Sequence, residues 1–392
     1  VIELQKMLRA MVEKRRTLTR EEARETLRAI LAGGEQEAAH GAPPLGSHLG
    51  VEIGALLTAM AQRGETAAEL TGFAEAMREA AMPLPLTAEE RAELVDTCGT
   101  GGDGLGTFNI STGAALVAAA AGAKVAKHGN RAVTSRSGSA DVLETLGVPV
   151  GLGPEDAVRC LHETGFMFLL ATVLHPAMRR VAPVRRALGF RTIFNLAGPL
   201  TNPAGAETQV MGVWAAEKVS VVAEAMSLLG VRHAFVVHGK VAFGVGEGGE
   251  DGEPGLGLDE LTVTGASHIS EVRRNGGMPA IGRSYVVQPE DVGLARAPVT
   301  SLGGGGSAEE SAAVLLAIFK GEELGARREV VLFNAAAALV AGGVAANLRE
   351  GIERAAEGID SGAAIGLMER LRAFRGGCRC VNGVGREGLE IF

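Results

Sequence analysis

Residues 94–146 read LVDTCGTGGDGLGTFNISTGAALVAAAAGAKVAKHGNRAVTSRSGSADVLETL, and their reading decides the fold. The stretch opens on a short apolar run, 94–98, that stops at a cluster of glycines. An Ala-rich segment with helical patterning follows at 112–121, then a second short apolar run at 124–127 and another helical pattern at 141–146. Short apolar runs alternating with helical patterns indicate strands separated by helices, and hence an α/β sheet covered on both faces. The alternation continues with a strand-like 208–213, a helix at 217–229 and a strand-like 234–237. We therefore expect an α/β fold with a mostly parallel central sheet flanked by helices.

Upstream of this region the pattern is all helical. Leu4, Met7, Leu8 and Met11 fall at i, i+3, i+4 and i+7, one apolar face of a helix. Thr19 with Glu22, and Thr66 with Glu69, have the spacing of capping boxes that start two further helices. A helix is also expected over 51–62, and Pro83 and Pro85 close the section. The expected division is a helical domain at 1–85, joined by helices around 175–190 and offering a face to a partner subunit. An α/β domain spans 86–374 and a tail 375–392. A Gly/Glu-rich loop lies at 239–257, another loop at 33–50, and Ser307 with Glu310 starts a late helix. The tail has no periodicity, and Cys378 and Cys380 lack the further ligands a metal site needs.

Composition narrows the function classes. The 392 residues are 46% hydrophobic and 21% charged, the balance of a packed globular protein rather than a disordered one. With 56 glycines and only 4% aromatics the chain suits tight turns and close packing, and does not suit stacking nucleobases on aromatic rings. A net charge of −8 argues against an extended nucleic-acid groove. Four cysteines, badly spaced for a framework of bridges, favour a reducing cytoplasm. The longest apolar stretch, 330–346, is broken by Asn334 and Gly342-Gly343; it is expected to be a buried helix rather than a membrane span.

Three polar loops carry the chemistry. Gly99-Thr100-Gly101-Gly102-Asp103-Gly104 follows the first strand, and successive N–H groups in such a turn form an anion nest. Thr107-Phe108-Asn109-Ile110-Ser111-Thr112 leads into the Ala-rich helix, whose N-terminus offers free N–H groups and hydroxyls to a phosphate. Lys127-His128-Gly129-Asn130-Arg131 follows the next strand, with a run of hydroxyls from Thr134 to Ser139 behind it. One Gly-rich turn is a weak signal. Three polar turns at successive strand ends point to a polyanion such as a pyrophosphate, because ligands sit outside the carboxyl ends of such strands.

In this order and spacing, GTGGD, NIST, KHGNR and SGSAD resemble the anthranilate phosphoribosyltransferase family. The likeness runs on through His175-Pro176-Ala177-Met178, Pro183-Val184-Arg185, residues 191–203, Gly257-Leu258-Asp259-Glu260-Leu261 and Asp360-Ser361-Gly362, and so covers nearly the whole chain. The resemblance implies the class III phosphoribosyltransferase fold, related to that of nucleoside phosphorylases. It also implies transfer of the ribosyl phosphate of phosphoribosyl pyrophosphate (PRPP) to the amine of anthranilate, a step of tryptophan biosynthesis. By the match, PRPP would lie against Gly99, Gly102, Asp103, Thr107, Asn109, Ile110, Ser111 and Thr112. On the second strand-end loop it would lie against Lys127, His128, Gly129, Asn130, Arg131, Ala132, Val133, Thr134, Ser135 and Ser139. Anthranilate would meet Gly99, Asn130, His128 and His175, with Arg185 gripping its carboxylate; a guanidinium fork does this better than a lysine. Asp259 and Glu260, with Ser111, would hold Mg²⁺, two ions per site, whose remaining ligands come from phosphates and waters. A homodimer in the cytoplasm, with no nucleic-acid or membrane partner, completes the expectation.

The chain departs from the family in the longer loop 239–257 and in Leu174, where a Tyr is common. No catalytic acid or base is assigned, because the anthranilate amine is already neutral at pH 7. Two other readings stand beside this one: a pyrimidine nucleoside phosphorylase-like enzyme, and a non-catalytic relative that binds nucleic acid.

Overall fold

The computed structural model describes residues 4–32, 48–101, 104–132, 136–241, 257–275 and 278–376. The calls on Gly102, Asp103, Val133, Thr134, Ser135, Cys378 and Cys380, and on most of the loops 33–50 and 239–257, lie outside the described residues. Four helices come first: α1 (Leu4–Lys14), α2 (Arg20–Ala32), α3 (His48–Arg63) and α4 (Ala67–Glu79). Both capping boxes form. The Glu22 N–H donates to Thr19 Oγ1 at 3.2 Å while Glu22 Oε2 accepts from the Thr19 N–H at 3.0 Å. The Thr66–Glu69 pair repeats the arrangement. Glu69 does more than cap. It is fully buried, accepts the Leu18 N–H at 2.8 Å, and takes Arg63 Nη2 on both oxygens at 2.7 Å.

Helices α2 and α4 approach so closely that a Cβ on Gly72 would lie 2.2 Å from the Arg20 carbonyl oxygen. Gly72→Ala must push two helix backbones apart, and the expected cost is about 1–3 kcal/mol. A thermal melt checks this; an unchanged midpoint would show that the helices can slide apart freely.

The second half of the fold opens with α5 (Ala88–Glu93) and β1 (Leu94–Gly99). It runs through α6 (Ile110–Ala120), β2 (Lys124–Gly129), α7 (Ser139–Thr145) and α8 (Pro154–Thr164) to β3 (Phe166–Leu170). Three short helices, α9 (Ala171–Leu174), α10 (Ala182–Leu188) and α11 (Ile193–Ala197), lead to β4 (Thr208–Gly212), α12 (Lys218–Leu228) and β5 (His233–Lys240). After them come β6 (Gly257–Leu258), β7 (Ser267–Asn275) and β8 (Met278–Val287). The chain then continues as α13 (Ala308–Phe319), α14 (Ala326–Ala341), α15 (Leu348–Asp360) and α16 (Ala363–Ala373).

The strand order is β3-β2-β1-β4-β5-β7-β8. The first five are parallel, so the sheet is mostly parallel as expected, while β6, β7 and β8 add antiparallel pairing at one edge. β3, β6, β7 and β8 were not expected from the sequence. β3 follows α8 after a single glycine, Gly165 at φ 82°, so its five apolar residues look like a continuation of the helix. β7 mixes polar and apolar residues, and an irregularity in its register with β8 between Ser270 and Val272 breaks the period of two.

One apolar core lies between the sheet and α6, α13, α14, α15 and α16, through residues such as Val117, Phe168, Leu315 and Phe333. Another joins α1–α4 to Val184, Phe194 and the opposite face of β4 and β5, at Met211 and Val236. The helical bundle is thus fastened to the sheet through α10–α12. From β1 the chain moves to β2 on one side and later returns as β4 on the other. Their carboxyl ends therefore flank a crevice of the kind in which parallel sheets bind ligands.

Candidate active site

β1 ends at Gly99, and the Thr100 N–H continues its pairing to the Gly212 carbonyl at the end of β4 at 3.0 Å. Across these two strand ends runs the segment that carries Asp259. Asp259 Oδ2 accepts the Gly101 N–H at 2.6 Å. A Cβ on Gly99 would lie 2.2 Å from that same oxygen, and one on Gly212 would lie 1.5 Å from the Asp259 carbonyl oxygen. Both positions must be glycine for the acidic segment to reach the sheet. Gly99→Ala displaces the Asp259 carboxylate by about an ångström, and a misplacement of that size costs about a hundredfold in turnover. Steady-state rates on a variant with an unshifted melt check it; wild-type rates would mean the carboxylate position is immaterial.

Glu260 reaches the other side of the crevice. Its Oε1 accepts the Ser111 N–H at 3.1 Å, at the start of α6, where a negative charge is favoured by the helix dipole. Lys127, at the end of β2, is 2% exposed and points to the same place. Its Nζ donates to the Thr97 carbonyl at 2.5 Å and to Ser111 Oγ at 3.4 Å. Among the described residues no carboxylate lies within ion-pair distance of it. Burial lowers its pKa, and the charge of Asp96 opposes that shift. Ser111, Lys127, Asp259 and Glu260, scattered in sequence, thus meet at one end of β1.

The remaining residues named from the sequence divide. Asn109 Oδ1 accepts the hydroxyls of Ser137 and Ser311, each at 2.9 Å, and the Thr107 turn bridges to Gly303. Thr112 Oγ1 is buried without a partner among the described residues. Ser139 Oγ donates to the Asn130 carbonyl at 3.3 Å and fills the space a Cβ on Gly129 would need. Ile110 is placed differently: its side chain is in the core and its N–H goes to the Phe108 carbonyl. Arg131 is engaged by Asp141 at 3.1 Å and Glu144 at 2.8 Å, and the Ala132 N–H goes to Asp141 at 2.9 Å. The contacts of Arg131 and Ala132 tie their loop to the start of α7.

On the opposite face of β2 the rings of His128 and His175 lie 5.1 Å apart, both buried. Burial holds His128 well below the usual imidazole range and pushes His175 down to about 4, so both are neutral at pH 7. Arg185 sits on α10 with its guanidinium 5.2 Å from the centre of the Phe194 ring. Burial lowers its pKa. Among the described residues its guanidinium has no hydrogen bond and no ion pair. Arg191, by contrast, lies 4.8 Å from the Trp214 ring centre.

Two contributors escaped the sequence reading. Asn334, seen there only as a break in an apolar run, donates to the Leu261 carbonyl at 2.8 Å and accepts the Leu261 N–H at 3.0 Å, which pins the acidic segment from α14. The four glycines at 303–306 pack on the Thr107 turn, where a Cβ on Gly305 would lie 2.0 Å from the Thr107 carbonyl oxygen. Four successive glycines were the available signal.

Residues 5–81 match the helical bundle domain of a glycosyl transferase family, and residues 91–365 match its a/b domain. The anthranilate phosphoribosyltransferase of Chloroflexus aurantiacus is 48% identical over 94% of this chain and 98% of its own length. The chain belongs to the anthranilate phosphoribosyltransferase family. Among solved structures of that family, the Thermus thermophilus enzyme superposes with a TM-score of 0.77 at 42% identity, covering 95% of this chain and 98% of that one. The anthranilate phosphoribosyltransferase of Saccharomyces cerevisiae, in complex with PRPP and Mg, has a TM-score of 0.77 at 26% identity, covering 94% and 97%.

The acidic pair also fits what Mg²⁺ requires. Each carboxylate accepts a backbone N–H, which fixes its direction, and carboxylate oxygens are the hard donors such a cation takes. Among the described residues no group of three or more acids, histidines or cysteines could cage a metal alone. The donor set therefore suits an ion that completes its shell with phosphate and water.

Proposed function

We propose that this chain transfers the 5-phosphoribosyl group of PRPP to the amino group of anthranilate, giving N-(5-phosphoribosyl)anthranilate and pyrophosphate. One observation carries the reading. Glu260 and Ser111, 149 residues apart in sequence, are joined at the mouth of β1 beside a buried lysine that has no carboxylate partner among the described residues. Such a site combines fixed cation ligands, a helix N-terminus and a desolvated ammonium, which together suit a pyrophosphate.

In this reading the backbone around Gly99 and Gly101, the α6 N-terminus with Ser111 and Thr112, and Lys127 hold the anionic groups of PRPP. Asp259, Glu260 and Ser111 hold two Mg²⁺ ions; when bound, Mg²⁺ neutralises charge on the departing pyrophosphate. Arg185 anchors the anthranilate carboxylate, and His128 and His175, both neutral, line the approach with Asn130. As the bond from ribose C1 to pyrophosphate lengthens, positive charge grows on C1 and negative charge on the leaving group. Lys127 and the backbone N–H groups already face the region where the negative charge collects, so little reorganisation is needed. The amine attacks C1 as a neutral nucleophile while the C1–O bond to pyrophosphate breaks, its surplus proton passes to water, and orientation of the two substrates supplies the rest. The working form is a homodimer in the cytoplasm.

The test mixes the protein with Mg²⁺, PRPP and anthranilate and follows the loss of anthranilate fluorescence together with pyrophosphate release. Parallel reactions with uracil or thymidine and phosphate address the nucleoside phosphorylase reading. Turnover only in the parallel reactions would replace this proposal with that one.

A further inference from the structure

Asp96 is a buried acid with no part in the site as described. It lies within β1 at 1% exposure, and among the described residues no cationic side chain is within ion-pair distance. A carboxylate so placed is costly unless its hydrogen bonds serve it well. Its Oδ1 accepts the His128 backbone N–H at 3.0 Å, and Cys98 Sγ donates toward Oδ2 at 3.7 Å.

The location explains the arrangement. β1 pairs with β4 over five register positions and β2 with β3 over five, but β1 and β2 register only at Leu94–Lys124 and Val95–Val125. Beyond Val95 the regular ladder between β1 and β2 gives out, toward the end of the sheet where PRPP is proposed to bind. Three side chains take over from the backbone there. Asp96 receives the His128 N–H, Lys127 donates to the Thr97 carbonyl, and Asn202 donates to the Ala126 carbonyl at 2.7 Å.

We propose that Asp96 is a positioning residue of the transfer reaction: by taking the His128 N–H where the β1–β2 ladder ends, it fixes the end of β2, which presents Lys127 to the pyrophosphate of PRPP. The inference rests on the transferase reading above. Asp96 touches neither substrate, and acts through the backbone of residues 127–129. Its negative charge also offsets the burial of the Lys127 ammonium on the neighbouring strand.

Wild-type turnover with PRPP and anthranilate is measured first, and its absence overturns the transferase reading itself. With an active wild type, Asp96→Ala is expected to raise the KM for PRPP about tenfold or more, as the loss of one charge-assisted bond allows. The KM for anthranilate should rise by less, about threefold at most, because His128 lines its approach but the Arg185 anchor is untouched. Asp96→Asn keeps an acceptor for the His128 N–H and should recover part of the loss. An unchanged KM for PRPP in Asp96→Ala, or a parallel rise in both KM values with a lowered melt, would overturn the positioning role. Should Asp96→Ala not fold, amide exchange in the wild type decides. The His128 N–H should be protected before PRPP is added and no more protected afterwards; fast exchange that slows only with PRPP refutes a strand end fixed in advance.

Discussion

Asp259→Ala combined with Glu260→Ala is expected to lower turnover by about a thousandfold or more, the scale on which fixed charge stabilisation acts. These two acids are the main fixed donors for a cation at the mouth of β1. Asp259 also orders the glycine turn through the Gly101 N–H, and Glu260 caps the α6 N-terminus through the Ser111 N–H. The variant thus loses the metal ligands and the shape of the nest together. The lost N–H acceptors, one of them at the start of α6, should also lower the melt, by about 0.5–2 kcal/mol for a helix cap. Added Mg²⁺ with pyrophosphate raises the wild-type melt in proportion to the logarithm of ligand over Kd, and that rise should vanish in the variant. Wild-type turnover by the double variant in the presence of a chelator would end the metal assignment.

Arg185→Ala is expected to reduce kcat/KM for anthranilate by about 30-fold to 1000-fold, equivalent to about 2–4 kcal/mol for the loss of a bidentate, charge-assisted contact. The KM for PRPP should hardly change. The physical ground is the state of Arg185 itself. A guanidinium that is half-buried, packed on Phe194 and without an ion-pair partner among the described residues is partly desolvated, and an incoming anion would offset that cost. Arg185→Lys should fall between alanine and wild type, because a point charge cannot reproduce the planar fork. Equal losses for both substrates would show that Arg185 supports the fold rather than the acceptor.

The α/β class was legible from the alternation of short apolar runs with helical patterns, and the glycine-rich strand ends at Gly99 and Gly129 marked the ligand face. The acidic motif was not legible from chemistry alone. An Asp-Glu pair is nearly always surface charge, and only the family resemblance raised Asp259 and Glu260 above that. Arg185 was likewise one arginine among Arg179, Arg180, Arg186 and Arg191, and the family resemblance alone singled it out. A motif marks a stretch without saying where each side chain goes: the fold turns that of Ile110 into the core and that of Arg131 onto Asp141 and Glu144.

By itself, the sequence determined the features whose partners lie three or four residues apart. These are the capping boxes at Thr19 and Thr66, the apolar faces of the helices and the glycine turns that end β1 and β2. Such contacts need only the local backbone, so a local pattern is enough to read them. Only the tertiary structure decided that Glu69 also receives Arg63 and Leu18, that Asn334 holds Leu261, and that Asp259 crosses the ends of β1 and β4. Those contacts depend on which strands become neighbours. That order is fixed by burying the whole apolar surface at once, and no short window of residues carries it.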